Sequence, residues 1–176
     1  MKKIALSLLY VILFFAALLF FTPKENLYYF GEEQLKPLGV VIADEEVIDH
    51  GFSLSLEHAT IYFKKIRSAE IASITTKVFG VYNNLYIENI VLDPAIEQFF
   101  PPEITHINVT HSLLSPLQVT ADAEGDFGSA TAEVNLADRN GTLRVVPSKI
   151  MTSRFRNTLR QLKKSKEGDY YYEFKF

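Results

Sequence analysis

Leu117-Gln118-Val119-Thr120-Ala121-Asp122-Ala123-Glu124-Gly125-Asp126-Phe127-Gly128-Ser129-Ala130-Thr131-Ala132-Glu133-Val134-Asn135-Leu136 is the stretch that decides the fold. Leu117, Val119, Ala121 and Ala123 alternate with polar or charged residues. Ala130, Ala132, Val134 and Leu136 do so again after Gly125-Asp126. A period of two puts every second side chain on the same face of a strand. The two runs are therefore read as adjacent antiparallel strands, each with one dry and one solvated face, joined by a turn supported by Gly125-Asp126. Asn140-Gly141 tolerates positive φ at both positions and reads as the next hairpin turn, after which Leu143 and Val145 resume the apolar face. The residues in the middle of that face are small. Small side chains let a second sheet layer, a helix or an acyl chain come close.

Upstream the same alternation recurs. Phe52, Leu54 and Leu56 face one way, His58 interrupts the phase, and Ala59, Ile61 and Phe63 continue in the other. Such a slip means either two strands or one strand with a bulge. Residues 71–79 are rich in Ile, Thr and Val and favour a strand. Asn83-Asn84 is a turn candidate, and residues 85–92, apolar on both faces, suit a central strand. Asp93-Pro94 ends it. Phe99-Phe100-Pro101-Pro102 reads as a loop or short helix that changes direction, and residues 104–110 resume the strand pattern.

Downstream, Met151, Phe155, Leu159 and Leu162 recur at helical spacing, so residues 149–164 are read as one amphipathic helix capped by Ser148, with Gly168 at its exit. Its polar face carries Arg154, Arg156, Arg160, Lys163 and Lys164. Those residues suit an anionic membrane surface or acidic partner, or an ordinary solvated face. Tyr170, Tyr172, Phe174 and Phe176 alternate again and predict a final strand pairing with a sheet edge.

Residues 4–21 form an 18-residue apolar run without a charge. At about 1.5 Å per residue it matches a hydrocarbon core of roughly 30 Å. Ile4, Leu8, Val11, Phe15 and Leu19 lie along it. Lys2 and Lys3 favour a cytoplasmic N-terminal tip. A cleaved signal peptide is the rival reading, although no small-x-small site follows the core. Both of these place the rest of the chain outside the cytoplasm; a buried helix of a soluble protein is the third alternative. The expected organisation is a tip at 1–3, an anchor at 4–21, a juxtamembrane and lead-in segment at 22–50 and a β-rich periplasmic domain at 51–176. The expected fold class is mainly β: a transmembrane helix, then a twisted, mostly antiparallel sheet with one short C-terminal amphipathic helix and a final strand.

Composition narrows the function. The chain has 176 residues and no cysteine, which removes disulfides, thiolate nucleophiles and Cys-ligated zinc. Residues 22–148 carry 8 basic and 18 acidic side chains. An acidic body of this kind does not make a nucleic-acid groove. His50, His58, His106 and His111 have no metal-ligand spacing, and Asp122, Glu124 and Asp126 alternate along a strand rather than form a calcium loop. There is no G-x-S-x-G elbow and no phosphate-binding glycine loop. Asn108-Val109-Thr110 and Asn140-Gly141-Thr142 match the glycosylation rule, a match frequent by chance. No cofactor and no enzymatic activity are expected.

The stretch Gly51-Phe52-Ser53-Leu54-Ser55-Leu56-Glu57-His58-Ala59-Thr60-Ile61, with residues 124–136 leading through Asn140-Gly141 into Leu143, resembles the type II secretion system protein N family and the wider AsmA-like group of periplasmic β-rich proteins. The resemblance is one of layout and strand texture. It implies a single-pass protein of the bacterial inner membrane, either an accessory or scaffold component of a secretion or envelope-transport assembly, or a lipid-binding or lipid-transfer module. A lipopolysaccharide-transport subunit of β-jellyroll type has similar size and topology. The partners implied are membrane lipid, other envelope proteins and a second copy of the chain. On this reading Phe52, Leu54, Leu56, Leu117, Val119, Ala121, Ala130, Ala132, Val134, Leu136, Leu143 and Val145 form an apolar groove or a closed core.

Overall fold

The computed structural model describes residues 2–78 and 81–176. It begins with α1 (Lys2–Phe21), long and apolar enough to cross a membrane. Ile4, Leu8, Val11 and Phe15 are all exposed on it, and Leu19 partly so. A helix apolar around its whole circumference is stable when its surroundings are apolar too.

Among the described residues, eleven antiparallel strands follow in one sheet. They are β1 (Val40–Ala43), β2 (Glu46–Asp49), β3 (Ser53–Phe63), β4 (Ile66–Val78), β5 (Tyr82–Leu92), β6 (Glu103–Ser112), β7 (Gln118–Gly125), β8 (Gly128–Asn135), β9 (Asn140–Pro147), β10 (Lys163–Lys164) and β11 (Tyr170–Lys175). From β3 to β9 each strand pairs with its successor, and β11 returns to lie between β9 and β10. β1 and β2 pair in succession with the two halves of β3. The sheet therefore starts within the 22–50 segment.

The phase slip at His58 resolves as one strand. His58 adopts φ 58° and Asn89, two strands away, φ 51°. Left-handed residues re-aim the side chains that follow. Leu54 and Leu56 before the slip, and Ala59 and Ile61 after it, thus share one inner face. Leu56 and Ala59 join Ala69, Ile71, Ile74 and Ile90 in the first core cluster, with Ile61 packed against it, and Leu54 is buried as well.

Several local expectations are corrected. Asn83 and Asn84 lie inside β5, paired with Val78 and Lys77. Asn84 is held there by hydrogen bonds from its amide to Asn108 Oδ1 and the Val109 carbonyl. Phe79, placed at the end of the 71–79 strand, lies outside the described residues. Gly125 and Gly128 pair across the β7–β8 hairpin, leaving Asp126 and Phe127 at its tip. Asn140 and Gly141 open β9 rather than turn; the turn precedes them, with Arg139 at φ 50°. Gly141 is a glycine for another reason: a Cβ there would come within 2.4 Å of the Phe174 ring.

The C-terminal helix is broken. α4 (Lys149–Arg154) and α5 (Arg156–Leu159) meet at Phe155, whose φ −111° and ψ 33° are not helical. Ser148 caps α4 by accepting from Met151 N (3.1 Å). The break keeps the apolar stripe on the sheet: Met151 and Leu159 are buried with Phe127 and Val145 in a second cluster, which Phe155 and Leu162 flank. Lys163 and Lys164 leave the helix as β10. Gly168, at φ 100°, therefore sits between β10 and β11 rather than at a helix exit. Between β5 and β6 a single turn, α3 (Pro94–Glu97), is capped by Asp93 accepting from Ala95 N (3.0 Å).

Residues 24–38 hold a helix that period-two patterning does not reveal. α2 (Lys24–Leu35) runs into a 3-10 turn (Lys36–Leu38), and Gly39 at φ 81° turns the chain into β1. α2 contacts β1, β2 and β3.

Candidate functional site

Lys24, Leu27, Tyr28, Gly31, Glu32 and Leu35 follow the 3-1-3-1-3 spacing of one helix face. That face looks onto the sheet. Between them lies an apolar cavity of about 580 Å³, walled otherwise by Val40 and Ile42 of β1, Leu54, Leu56 and Ile61 of β3, Ile71, Ile74 and Thr76 of β4, and Leu85 and Ile87 of β5. Its size falls within the roughly 300–1,000 Å³ of small-molecule sites, and its lining is overwhelmingly aliphatic.

α2 is pinned over the cavity at two points. Asp49 accepts from the backbone N–H of Lys24, the first residue of the helix (3.1 Å), and from Gly51 N (2.8 Å). The buried Lys24 ammonium lies 3.5 Å from the same carboxylate and donates to Thr22 O (3.0 Å). The Gly51 and Lys24 backbone donors, then the Lys24 charge, hold the Asp49 carboxyl below the usual range. A turn further on, Tyr28 donates to Glu45 Oε1 (2.7 Å). Burial, then that hydrogen bond and the Glu45 charge, push the Tyr28 phenol upward. Phe20 at the end of α1 packs edge-on to Phe52 (5.3 Å) and over Gly51, where a Cβ would meet its ring at 2.2 Å. The anchor, the helix and the first strands thus form one joint.

Gly31 faces open space: a Cβ added there would meet nothing within 4 Å. Gly31→Ala is therefore expected to stabilise the chain by about 0.5–1 kcal/mol, the helical cost of glycine. Thermal unfolding of the two proteins side by side would show a higher Tm for the variant.

From the cavity two rungs of inward side chains cross the sheet. One runs Leu85, Val109, Ala121, Ala132, Leu143, Tyr172, and the other Ile87, Ile107, Ala123, Ala130, Val145, Tyr170. The second rung passes under the Phe127 cluster beneath α4 and α5. The first remains partly exposed at Val109, Ala121, Ala132 and Leu143. The small-residue face is thus roofed at one end only.

The residues expected to form a groove divide accordingly. Leu54 and Leu56 line the cavity. Val119, Ala121, Ala130, Ala132, Val134, Leu143 and Val145 lie on the inner face beside it. Phe52 belongs to the anchor joint, and Leu117 and Leu136 stand exposed at the ends of their strands. The basic set lies apart. Arg154, Arg156 and Arg160 are exposed on or beside α4 and α5, and Lys163 and Lys164 are exposed on β10, at the sheet end remote from the α1 joint. Lys163 donates to Glu173 (3.1 Å), which raises its pKa. Among the described residues no three His, Asp or Glu side chains are grouped as metal ligands.

No family model, curated protein or solved structure matches the chain. The architecture stands on its own geometry: one N-terminal apolar helix long enough to span a membrane, followed by a large β-sheet domain.

The α2 contribution to the cavity is not apparent from hydropathy. Its signal lies in the 24-27-28-31-32-35 spacing, where Lys24, Gly31 and Glu32 interrupt the apolar stripe and hide it.

Proposed function

We propose that this chain is a non-catalytic, single-pass protein of the bacterial inner membrane whose periplasmic sheet holds a lipid acyl chain. The observation that carries this is the aliphatic cavity under α2, continued by the partly exposed rung from Leu85 to Leu143. Five strand steps at about 4.8 Å, from Leu85 to the Tyr172 end, give that rung a length of roughly 24 Å. One leaflet's acyl chains span about half of a hydrocarbon core of roughly 30 Å, so a single chain fits. Burying methylenes is worth about 0.8 kcal/mol each, so affinity comes from chain length and needs no polar recognition. The AsmA-like texture of the strands agrees with this role.

Native mass spectrometry of the full chain released from mild detergent tests it. Phospholipid adducts are expected on the wild-type protein. Leu85→Glu puts a carboxylate into the lining and should weaken binding roughly 10–100-fold; because Leu85 packs against the first core cluster, circular dichroism of the variant must show the sheet still folded. A wild-type spectrum without lipid rejects the reading.

A second reading, a docking component of an envelope assembly, has its own support. β10 covers only Tyr170 and Tyr171 of β11, and residues 172–175 keep an edge without a strand partner among the described residues. Such edges recruit further strands. Co-purified envelope proteins would support it, and recovery of a lone monomer would count against it.

A further inference from the structure

The sheet has two ends, and they differ in chemistry. The end that carries the α1 joint holds the starts of β3 and β5, the β6–β7 connection and the β8–β9 turn. There Val81 is 54% exposed, Leu113 55%, Leu114 86%, Leu117 53% and Leu136 42%. Residues 112–118, Ser-Leu-Leu-Ser-Pro-Leu-Gln, contain no charge. These tips are tied into one ridge: Leu113 N donates to Val81 O (2.8 Å) and Leu136 N to Leu117 O (2.8 Å). Within the β6–β7 tip, Leu114 N donates to Ser112 Oγ (3.2 Å) and Gln118 N to Ser115 O (3.0 Å). The leucines are thus presented by a built turn.

The opposite end is charged. Its β3–β4 turn is Lys64-Lys65, its β5–β6 connection carries Asp93 and Glu97, and α4 and α5 carry the basic set. Phe99 and Ile66 are exposed there as well, each beside charged residues, as Leu136 at the anchor end lies beside Asp138 and Arg139; the 112–118 tip carries no charge of its own.

We infer that the anchor-side ridge is a second membrane contact, resting in the leaflet from which α1 emerges toward the sheet domain. The inference rests on α1 being a membrane anchor and needs nothing about the cavity's occupancy. Three observations favour a bilayer as occupant. α1 meets the domain at this end through Phe20, Gly51 and Phe52. The 112–118 tip is uncharged and leucine-rich, so inserting it desolvates no charge and buries apolar side chains. The ridge also adjoins the inner apolar face, because Leu117 and Leu136, joined by the Leu136 N to Leu117 O bond, lie two residues beyond the paired Val119 and Val134. A lipid tail entering by this ridge would reach the inner face from hydrocarbon without crossing water. Tilting the sheet onto its ridge also turns the basic end away from that membrane.

The chain contains no tryptophan, so each single Trp substitution is a unique reporter. Three variants of the full chain would be placed in nanodiscs of phosphatidylethanolamine and phosphatidylglycerol, with and without dibrominated acyl chains: Val11→Trp in α1, Leu114→Trp in the ridge and Phe99→Trp at the far end. Val11→Trp and Leu114→Trp should emit to the blue and lose most of their fluorescence to brominated lipid, whereas Phe99→Trp should not. The exposure of Leu114 makes misfolding of that variant no issue. If Val11→Trp is quenched and Leu114→Trp behaves like Phe99→Trp, the ridge inference is overturned with the anchor intact. A ridge that binds a protein would give that same result in discs holding this chain alone. Equal quenching of Leu114→Trp and Phe99→Trp overturns the orientation. An unquenched Val11→Trp removes the anchor and the ridge together.

Discussion

Gly128→Ala is expected to destabilise the protein by about 3–5 kcal/mol, the largest loss expected for an alanine at any of the described glycines. Two costs combine. Gly128 has φ +113°, outside the range of residues with a side chain. Its Cβ would also lie 2.1 Å from Val146 O and 2.7 Å from Ser148 N. Both are backbone atoms, fixed by the β8–β9 ladder and by the start of α4, so no side-chain rotation relieves the clash. The damage spreads through Phe127, buried beside Gly128. Its carbonyl accepts from Ser148 N (2.8 Å), and its ring packs on Phe100 (5.2 Å). Gly168→Ala is the control: φ is +100° but no atom lies within 4 Å, so only the strain of about 1–3 kcal/mol applies. Denaturant unfolding followed by circular dichroism would separate them. Equal losses would show that the contact with β9 is soft.

Asp49→Ala is expected to cost about 2–3 kcal/mol and to loosen α2 over the cavity. The variant leaves the Lys24 ammonium buried without its counter-ion and the first N–H of α2 without an acceptor. The cost stays below that of breaking a fully buried pair because the Asp49 side chain is 22% exposed. Hydrogen exchange should report faster amides along α2 while the β7–β9 amides stay protected; uniform loosening would mean that α2 is not separately docked. The pH dependence follows from the same carboxylate. Its folded pKa is depressed below the ordinary 3.8, so its contribution is complete above that value and disappears as pH falls through the folded pKa. Acid should therefore loosen α2 in the wild-type protein, and the variant should lack that transition.

Period-two alternation makes most of the strands legible, since a half-buried strand writes its faces into the sequence. The β7–β8 pair and the aromatic β11 stand as the alternation implies. Turn chemistry is less reliable. Asn83-Asn84 and Asn140-Gly141 both look like turns, yet Asn84 is absorbed by a cross-strand amide ladder and Gly141 by the ring of Phe174. Residue type shows which conformations are allowed, whereas the neighbours that select one lie far along the chain. The same holds for the break at Phe155, which keeps Met151 and Leu159 on the second cluster. The cavity is half legible: Leu54 and Leu56 stand out as apolar-face residues, but the helix that roofs them does not.

From the sequence alone come the apolar helix, the strand faces and the two-sided character of the sheet, because hydropathy and its period are local properties. Only the tertiary structure decided that α2 lies over β3–β5 while α4 and α5 cover the far end of β7–β9, leaving a rung open between them. Which apolar face is covered depends on contacts such as Asp49 with Lys24 and Thr158 with Phe99, residues 25 and 59 positions apart. No local pattern encodes a contact between residues so far apart.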